Sequence, residues 1–302
     1  MTEKIYPSKL LLFGEHTVNL GSQALAMPLM LYKGAWKMNA HNAALQYRLK
    51  DWASYIQDLK NENKLFLNID NQRFITDLER GLYFDADVPQ GYGVGSSGVL
   101  CAALYDVYGI DKPTNPYLAL AELKRGFAQL ESFFHGTSSG IDPLVCYVQQ
   151  AVLIVAKTML TTVTMPMYIG AENGIFLLDT GISRDAATLI ERFLETANNA
   201  DFKDLCTTQL VPKNNIAIAA FLEGHWPNLM RSVADISQFQ YEHLSMLIPE
   251  SFMNLWQKTL LHPNLKLKIC GAGGGGFILV FTDKKSILKT FFEGYELMEV
   301  VI

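Results

Sequence analysis

Apolar residues fall in short blocks whose spacing changes along the chain. Residues 9–13 (KLLLF) form an apolar run that Gly14 closes, which predicts a buried strand. Residues 99–108 (VLCAALYDVY) have helical spacing and stop at Gly109. A second helix is predicted where Thr114 or Asn115 can cap and Pro116 suits the first turn. Its apolar face is Leu123, Phe127, Leu130 and Phe134, and Gly136 ends it, with Glu131 in the last turn. A short loop, 136–140, then delivers Asp142. Residues 151–156, 174–179, 266–269 and 277–281 read as strands, and 185–198 and segments within 213–224 and 226–247 as helices. The mildest breaks fall at 161–173 and at a turn over 211–213. Strands and helices alternate without the regular beat of a doubly wound parallel sheet, which predicts an α+β protein of two domains.

Composition narrows the field. The chain has 302 residues, of which 49% are hydrophobic and 18% charged, enough to bury a large core. The net charge of −5 argues against a nucleic-acid partner, which needs clustered Lys and Arg. Cys101, Cys146, Cys206 and Cys270 are scattered, with no CxxC and no HExxH, so neither a zinc site nor a disulfide framework is expected. Residues 1–9 (MTEKIYPSK) lack the basic start and apolar core of a secretory signal. No apolar stretch reaches the roughly 18 to 20 residues of a membrane helix. A cytoplasmic protein without membrane partners is the expectation.

Two glycine-rich loops carry the candidate chemistry. Residues 89–98 (PQGYGVGSSG) contain Gly93, Gly95 and Gly98 in GxGxxG spacing, but no acidic residue stands about 20 positions further on, as a dinucleotide site would require. A Walker loop is excluded because the chain has no Gly-Lys pair. A glycine-rich turn that opens a helix still directs several N–H groups at one point, where the helix dipole favours phosphate. The alternative is a tight turn with a serine cap. The second loop, 271–276 (GAGGGG), has five glycines in six positions, a conformational-entropy cost that suggests close approach of backbone to a ligand or to another loop.

Taken together, these segments resemble the GHMP kinase superfamily, named for galacto-, homoserine, mevalonate and phosphomevalonate kinases. Residues 7–16 (PSKLLLFGEH), 89–98, and 268–276 (KICGAGGGG) match the family's three motifs in order. Residues 135–142 (HGTSSGID) look most like the H-G-x-P-S-G-x-D block of mevalonate kinases. Glu131 stands eleven residues before Asp142 and Lys9 six before Glu15, as in that family. Residues 178–184 (LDTGISR) resemble the turn that brings an arginine to the acceptor carboxylate. Departures include Ser8, Val94, Gly98, Ser138, Pro143 and Cys270, none of which removes a charged catalytic group.

The resemblance implies a fold with an N-terminal domain like the second domain of ribosomal protein S5, residues 1–180, and a ferredoxin-like C-terminal domain, residues 181–302. It implies ATP and Mg²⁺ as cofactors and a small-molecule alcohol as partner, with mevalonate first in line; a homodimer is a further expectation. Asp142 becomes the catalytic base, although on the residues alone an aspartate there reads as a helix cap. Lys9 would stabilise the developing alkoxide. Glu131 and Ser97, or else Ser96, would hold the metal, as hard oxygen donors suit Mg²⁺. Pro89, Gly91, Gly93, Gly95, Ser96, Ser97, Gly98 and Glu15 fall to the nucleotide. His16, Arg184, Gly273 and Gly274 fall to the acceptor, Arg184 through a bidentate fork on a carboxylate. The rivals are a sugar 1-kinase, whose G-E-H-T string recurs at residues 14–17, a phosphomevalonate kinase, and a non-catalytic ATP-binding sensor.

Overall fold

In the computed structural model the described residues are 4–38, 43–156, 159–184 and 186–301. They form two compact units. The first takes in residues 1–10, 26–89 and 94–150, the second residues 11–25, 90–93 and 151–302.

The first unit starts on β1 (Tyr6–Phe13) and β2 (Ala24–Lys37), long strands whose remaining ends belong to the second unit. β3 (Tyr83–Ala86) pairs antiparallel with the end of β2, Gly34 facing Ala86 and Lys37 facing Tyr83. Helices α1 (Ala43–Asn61), α2 (Asn71–Glu79), α3 (Ser96–Tyr108), α4 (Leu120–His135) and α5 (Ile141–Val148) complete it. Its core holds Trp52, Phe74, Leu104, Phe127, Leu130 and Leu144. The Trp52 indole donates to the Leu130 carbonyl at 3.0 Å, so the buried N–H is satisfied.

In the second unit β4 (Ala151–Ala156) pairs antiparallel with β5 (Met159–Val163). β6 (Gly174–Asp179), β7 (Leu265–Ile269), β8 (Phe277–Thr282) and β9 (Leu297–Glu299) make an antiparallel sheet in the order β7-β8-β6-β9. Around it are α6 (Ala186–Thr196), α7 (Ala200–Leu205), α8 (Val211–Leu222), α9 (Trp226–His243), α10 (Met253–Leu261) and α11 (Leu288–Phe291). β8 is buried along its whole length and reads as an unbroken apolar run for that reason. Phe13 packs its ring against Phe281 and Phe221 at 5.8 and 6.3 Å.

The strands predicted at 151–156 and 174–179 are present with those bounds. Four local expectations change. α3 begins three residues early, because Gly95 takes the left-handed conformation that launches it. The helix expected from Pro116 is interrupted: Asn115 caps a single turn at Pro116–Leu118, and α4 starts at Leu120. The turn expected over 211–213 is helix instead, with Pro212 at the start of α8, directly after a five-residue π-helical turn at Cys206–Leu210. The break expected at 161–173 begins inside β5. Residue 185, the predicted start of α6, lies outside the described residues.

Candidate functional site

In the first unit, β1 buries Lys9, whose side chain is only 7% exposed, and points its ammonium at Asp142, Nζ to Oδ2 3.0 Å. Asp142 lies in the first turn of α5. It is not the cap: Gly140, at φ 73°, holds that position, and the Ser138 and Ser139 hydroxyls accept from the Gly140 and Ile141 N–H groups. The carboxylate is therefore left to Lys9 and, at 31% exposure, to solvent.

Glu131, buried in the last turn of α4, faces the same region. Ser97 Oγ donates to its Oε1 at 2.7 Å and Ser138 Oγ donates to its Oε2. Ser97 Oγ also lies 2.9 Å from His135 Nε2. Burial, and then the charge of Asp142, push the Glu131 carboxyl up to about 7, against the pull of the two hydroxyls and Lys9. Of the two serines at the start of α3, it is Ser97 that meets Glu131. It does not cap the helix, which has no side-chain cap. The first N–H groups of α3 have no carbonyl one turn earlier and suit an anion.

The glycines of this unit are there for closeness. A Cβ at Gly95 would lie 3.0 Å from Lys9 Cγ, and one at Gly98 would lie 2.9 Å from Asp142 Cβ and its carbonyl carbon. Gly98, where the family motif has alanine, is thus what allows α3 to sit against the start of α5. Gly98→Ala is expected to cost about 1–3 kcal/mol, the usual range for overpacking. A chemical-denaturation midpoint indistinguishable from the parent would mean that α5 shifts freely.

In the second unit Glu15 and Lys268 form an ion pair, with Lys268 fully buried. Gln240 Nε2 donates to Glu15 Oε1 at 3.3 Å, and its Oε1 accepts from the Ile269 N–H at 2.9 Å. Burial raises the Glu15 carboxyl and Lys268 opposes it. His16 follows in a left-handed conformation, φ 65°, buried against the Phe193 ring at 4.7 Å. The Ala272 backbone lies close, yet neither ring nitrogen makes a well-formed hydrogen bond. Burial, with Lys268 and Arg184 adding to it, holds its pKa down at about 4.

That depression has a sign. In the unfolded chain His16 takes up its proton near pH 6.5, in the folded chain only near 4, so stability falls as pH drops from 6.5 to 4. The full contribution is about 3 kcal/mol at 1.36 kcal/mol per unit. His16→Phe is expected to flatten the slope of the urea midpoint across that window; an unchanged slope would assign the dependence to other groups.

Arg184 is largely built into the loops. Nε donates to the Gly275 carbonyl and Nη2 to the Cys270 carbonyl, both at 3.3 Å, while the Arg184 N–H donates to the Gly91 carbonyl at 3.3 Å. A Cβ on Gly93 would lie 2.3 Å from Nη2. Nη1 is buried without a hydrogen-bond partner among the described residues. The 271–276 run is likewise occupied with backbone contact: Gly273 N–H meets the Cys270 carbonyl, Gly274 N–H the Leu247 carbonyl, and Gly276 N–H the Ile182 carbonyl. Close approach to another loop is therefore what these glycines serve, as a Cβ at 276 would lie 2.7 Å from the Tyr92 carbonyl oxygen.

Within the first unit Lys9, Asp142, Glu131, Ser97, Gly95 and Gly98 come together. Within the second, Gly91, Gly93, Arg184, Gly273 and Gly274 belong to one set of loops, with Glu15 and His16 on the turn after β1. Sequence reasoning missed Lys268 and Gln240, and gave no role to Ser138 or His135. A lysine alternating with apolar residues in a strand (LKLKI) was the available signal for Lys268. Among the described residues no cluster of three or more His, Cys, Asp or Glu side chains is placed to hold a metal. Magnesium bound mainly through phosphates asks for only one or two protein oxygens, so the buried carboxylate of Glu131 with the Ser97 hydroxyl fits it. Among the same residues no helix is long and apolar enough to cross a membrane.

No family model and no curated protein matches this sequence. Solved structures do match the fold. The mevalonate kinase of L. major, in complex with R-mevalonate, superposes with a TM-score of 0.66 at 16% identity, over 99% of this chain and 96% of that one. A Lactococcus lactis galactokinase complexed with galactose gives 0.69 at 15% identity, over 99% and 92%. A Streptococcus pneumoniae phosphomevalonate kinase with phosphomevalonate and AMPPNP gives 0.64 at 14% identity, over 99% and 100%. All three are GHMP kinases.

Proposed function

We propose that this chain, which has the GHMP kinase fold, is a small-molecule kinase that moves the γ-phosphoryl group of ATP to a hydroxyl. The observation that carries this is the pair of contacts beside the start of α3: buried Lys9 on part-exposed Asp142 at 3.0 Å, and Ser97 on buried Glu131 at 2.7 Å. Phosphoryl transfer asks for a place for the acceptor proton, neutralised phosphate charge and alignment. Asp142 is the one carboxylate of the group that is both fixed by a cation and open to solvent, and we assign it the acceptor's proton. Lys9 offsets the charge that develops on the acceptor oxygen. The α3 N-terminus suits the phosphates through its first helix N–H groups, and the glycines at 91, 93 and 95 are assigned to the nucleotide with it.

Glu131 and Ser97 are the residues that would hold Mg²⁺, which when bound supplies neutralisation of phosphate charge. Glu15 supports the turn that carries His16, since its carboxylate is already tied to Lys268. His16, Arg184, Gly273 and Gly274 are assigned to the acceptor, with Arg184 Nη1 the nitrogen still to be matched.

We infer mevalonate as acceptor, giving 5-phosphomevalonate. The support is the 135–142 block, which is of mevalonate kinase type, and the fact that Val18-Asn19-Leu20 follows residues 14–17 where galactokinases continue with Asp-Tyr-Asn. The test is ADP release with ATP and Mg²⁺ against mevalonate, phosphomevalonate, galactose, N-acetylhexosamines and homoserine. Turnover on mevalonate alone is expected. Turnover on galactose would keep the kinase reading and discard the acceptor; nucleotide binding with silence on every acceptor would favour a sensor.

A further inference from the structure

We propose that Ser138 is a positioning residue that sets the carboxylate of Glu131 and ties it to the helix carrying Asp142. This rests on the kinase reading of Glu131 as a Mg²⁺ ligand. Ser138 stands where the resembling motif has proline, a residue without a hydroxyl. Here the hydroxyl is engaged on both sides. The Gly140 N–H donates to Ser138 Oγ at 2.9 Å, which uses an oxygen lone pair, and Ser138 Oγ donates its proton to Glu131 Oε2. In the ionised form, the one that would hold a cation, the carboxylate can only accept, so the proton on this bond is the serine's. Glu131 Oε1 is taken by Ser97 Oγ at 2.7 Å. With one hydroxyl on each oxygen the carboxylate plane is fixed from both ends, and each oxygen keeps a further lone pair for a cation.

A Cβ at Gly140 would lie 2.0 Å from the Lys124 carbonyl oxygen, so the Gly140 backbone sits directly against α4, the helix that bears Glu131. Gly140 is also the N-cap of α5, two residues before Asp142. One serine thus joins the end of α4 to the start of α5, and the two carboxylates with them. Groups that orient a metal ligand in this way change metal affinity by about 10- to 100-fold when removed.

The experiment titrates free Mg²⁺ at fixed AMPPNP by calorimetry, in parallel with turnover, for the parent chain, Ser138→Ala and Ser138→Thr. The alanine variant is expected to need at least about tenfold more Mg²⁺ for half-maximal nucleotide binding. Threonine, which keeps the hydroxyl, should restore the parent value, and the thermal midpoint of the nucleotide-free protein should change little in either. A purely structural serine would lower that midpoint and leave the Mg²⁺ requirement alone, which would overturn the proposal, as would equal weakening by alanine and threonine. Should the alanine variant fail to fold, Ser138→Cys keeps the loop with a weaker donor and should give an intermediate Mg²⁺ requirement. If the parent chain binds nucleotide with no dependence on Mg²⁺, the reading of Glu131 falls first and the role of Ser138 with it.

Discussion

Asp142→Asn is expected to lower turnover by about 10²- to 10⁴-fold, the range for a lost acid–base group, with nucleotide binding largely unchanged. The reason is geometric. The carboxamide would keep the volume that Gly95 and Gly98 leave open, since a Cβ at those two positions would lie 3.5 and 2.9 Å from Asp142 side-chain atoms. It would lose the capacity to take a proton, and it would leave the Lys9 ammonium, 7% exposed, without its anion. Some loss of stability is therefore expected beside the loss of rate, and the two separate cleanly. Stability is read from the denaturation midpoint, and rate from ADP release at saturating nucleotide. Turnover close to the parent's would remove Asp142 from the role of base, whatever the acceptor turns out to be.

Lys268→Met is expected to be the most destabilising single change, at about 3–5 kcal/mol, the usual cost of leaving one partner of a buried ion pair alone. Lys268 is completely buried in β7 and Glu15 nearly so, and Gln240 contributes just one more hydrogen bond to that carboxylate, at 3.3 Å. The other oxygen, Oε2, has no well-formed hydrogen bond among the described residues. The Lys268 ammonium also sits over the Phe13 ring at 5.3 Å. A double replacement, Lys268→Met with Glu15→Leu, removes both charges and should recover most of the loss. Unfolding in urea followed by tryptophan fluorescence reports both. If the single variant loses less than about 1 kcal/mol, within reach of a surface ion pair, then water reaches Glu15 and the pair is not the anchor of the turn that carries His16.

The two glycine-rich motifs, the 7–16 motif, their order and the 135–142 block carried a resemblance from which the GHMP kinase fold was legible. Backbone that must approach other backbone has to be written as glycine, and such residues stay visible whatever surrounds them. Short apolar strands such as β6 and β8 were legible for a related reason: burial on both faces leaves no polar position to confuse the pattern. β2 escaped because Pro28 and Gly34 lie within its fourteen residues and look like punctuation; pairing with β3 and the close seat of Gly34 on the Phe84 ring account for the glycine.

What each polar group does was decided by tertiary structure. On the residues alone Asp142 reads as a helix cap, and only the resemblance makes it a base; the structure gives the cap position to Gly140, with the Ser138 and Ser139 hydroxyls accepting from the Gly140 and Ile141 N–H groups. Glu131 is one helical glutamate among others until two hydroxyls, 34 residues upstream and 7 downstream, are found on its oxygens. The Glu15–Lys268 pair joins positions 253 apart in the chain. No local pattern encodes such partners. They are chosen by the free energy of burying a charge, which falls to a tolerable level only where the fold happens to bring a counter-charge or a hydroxyl within hydrogen-bond reach.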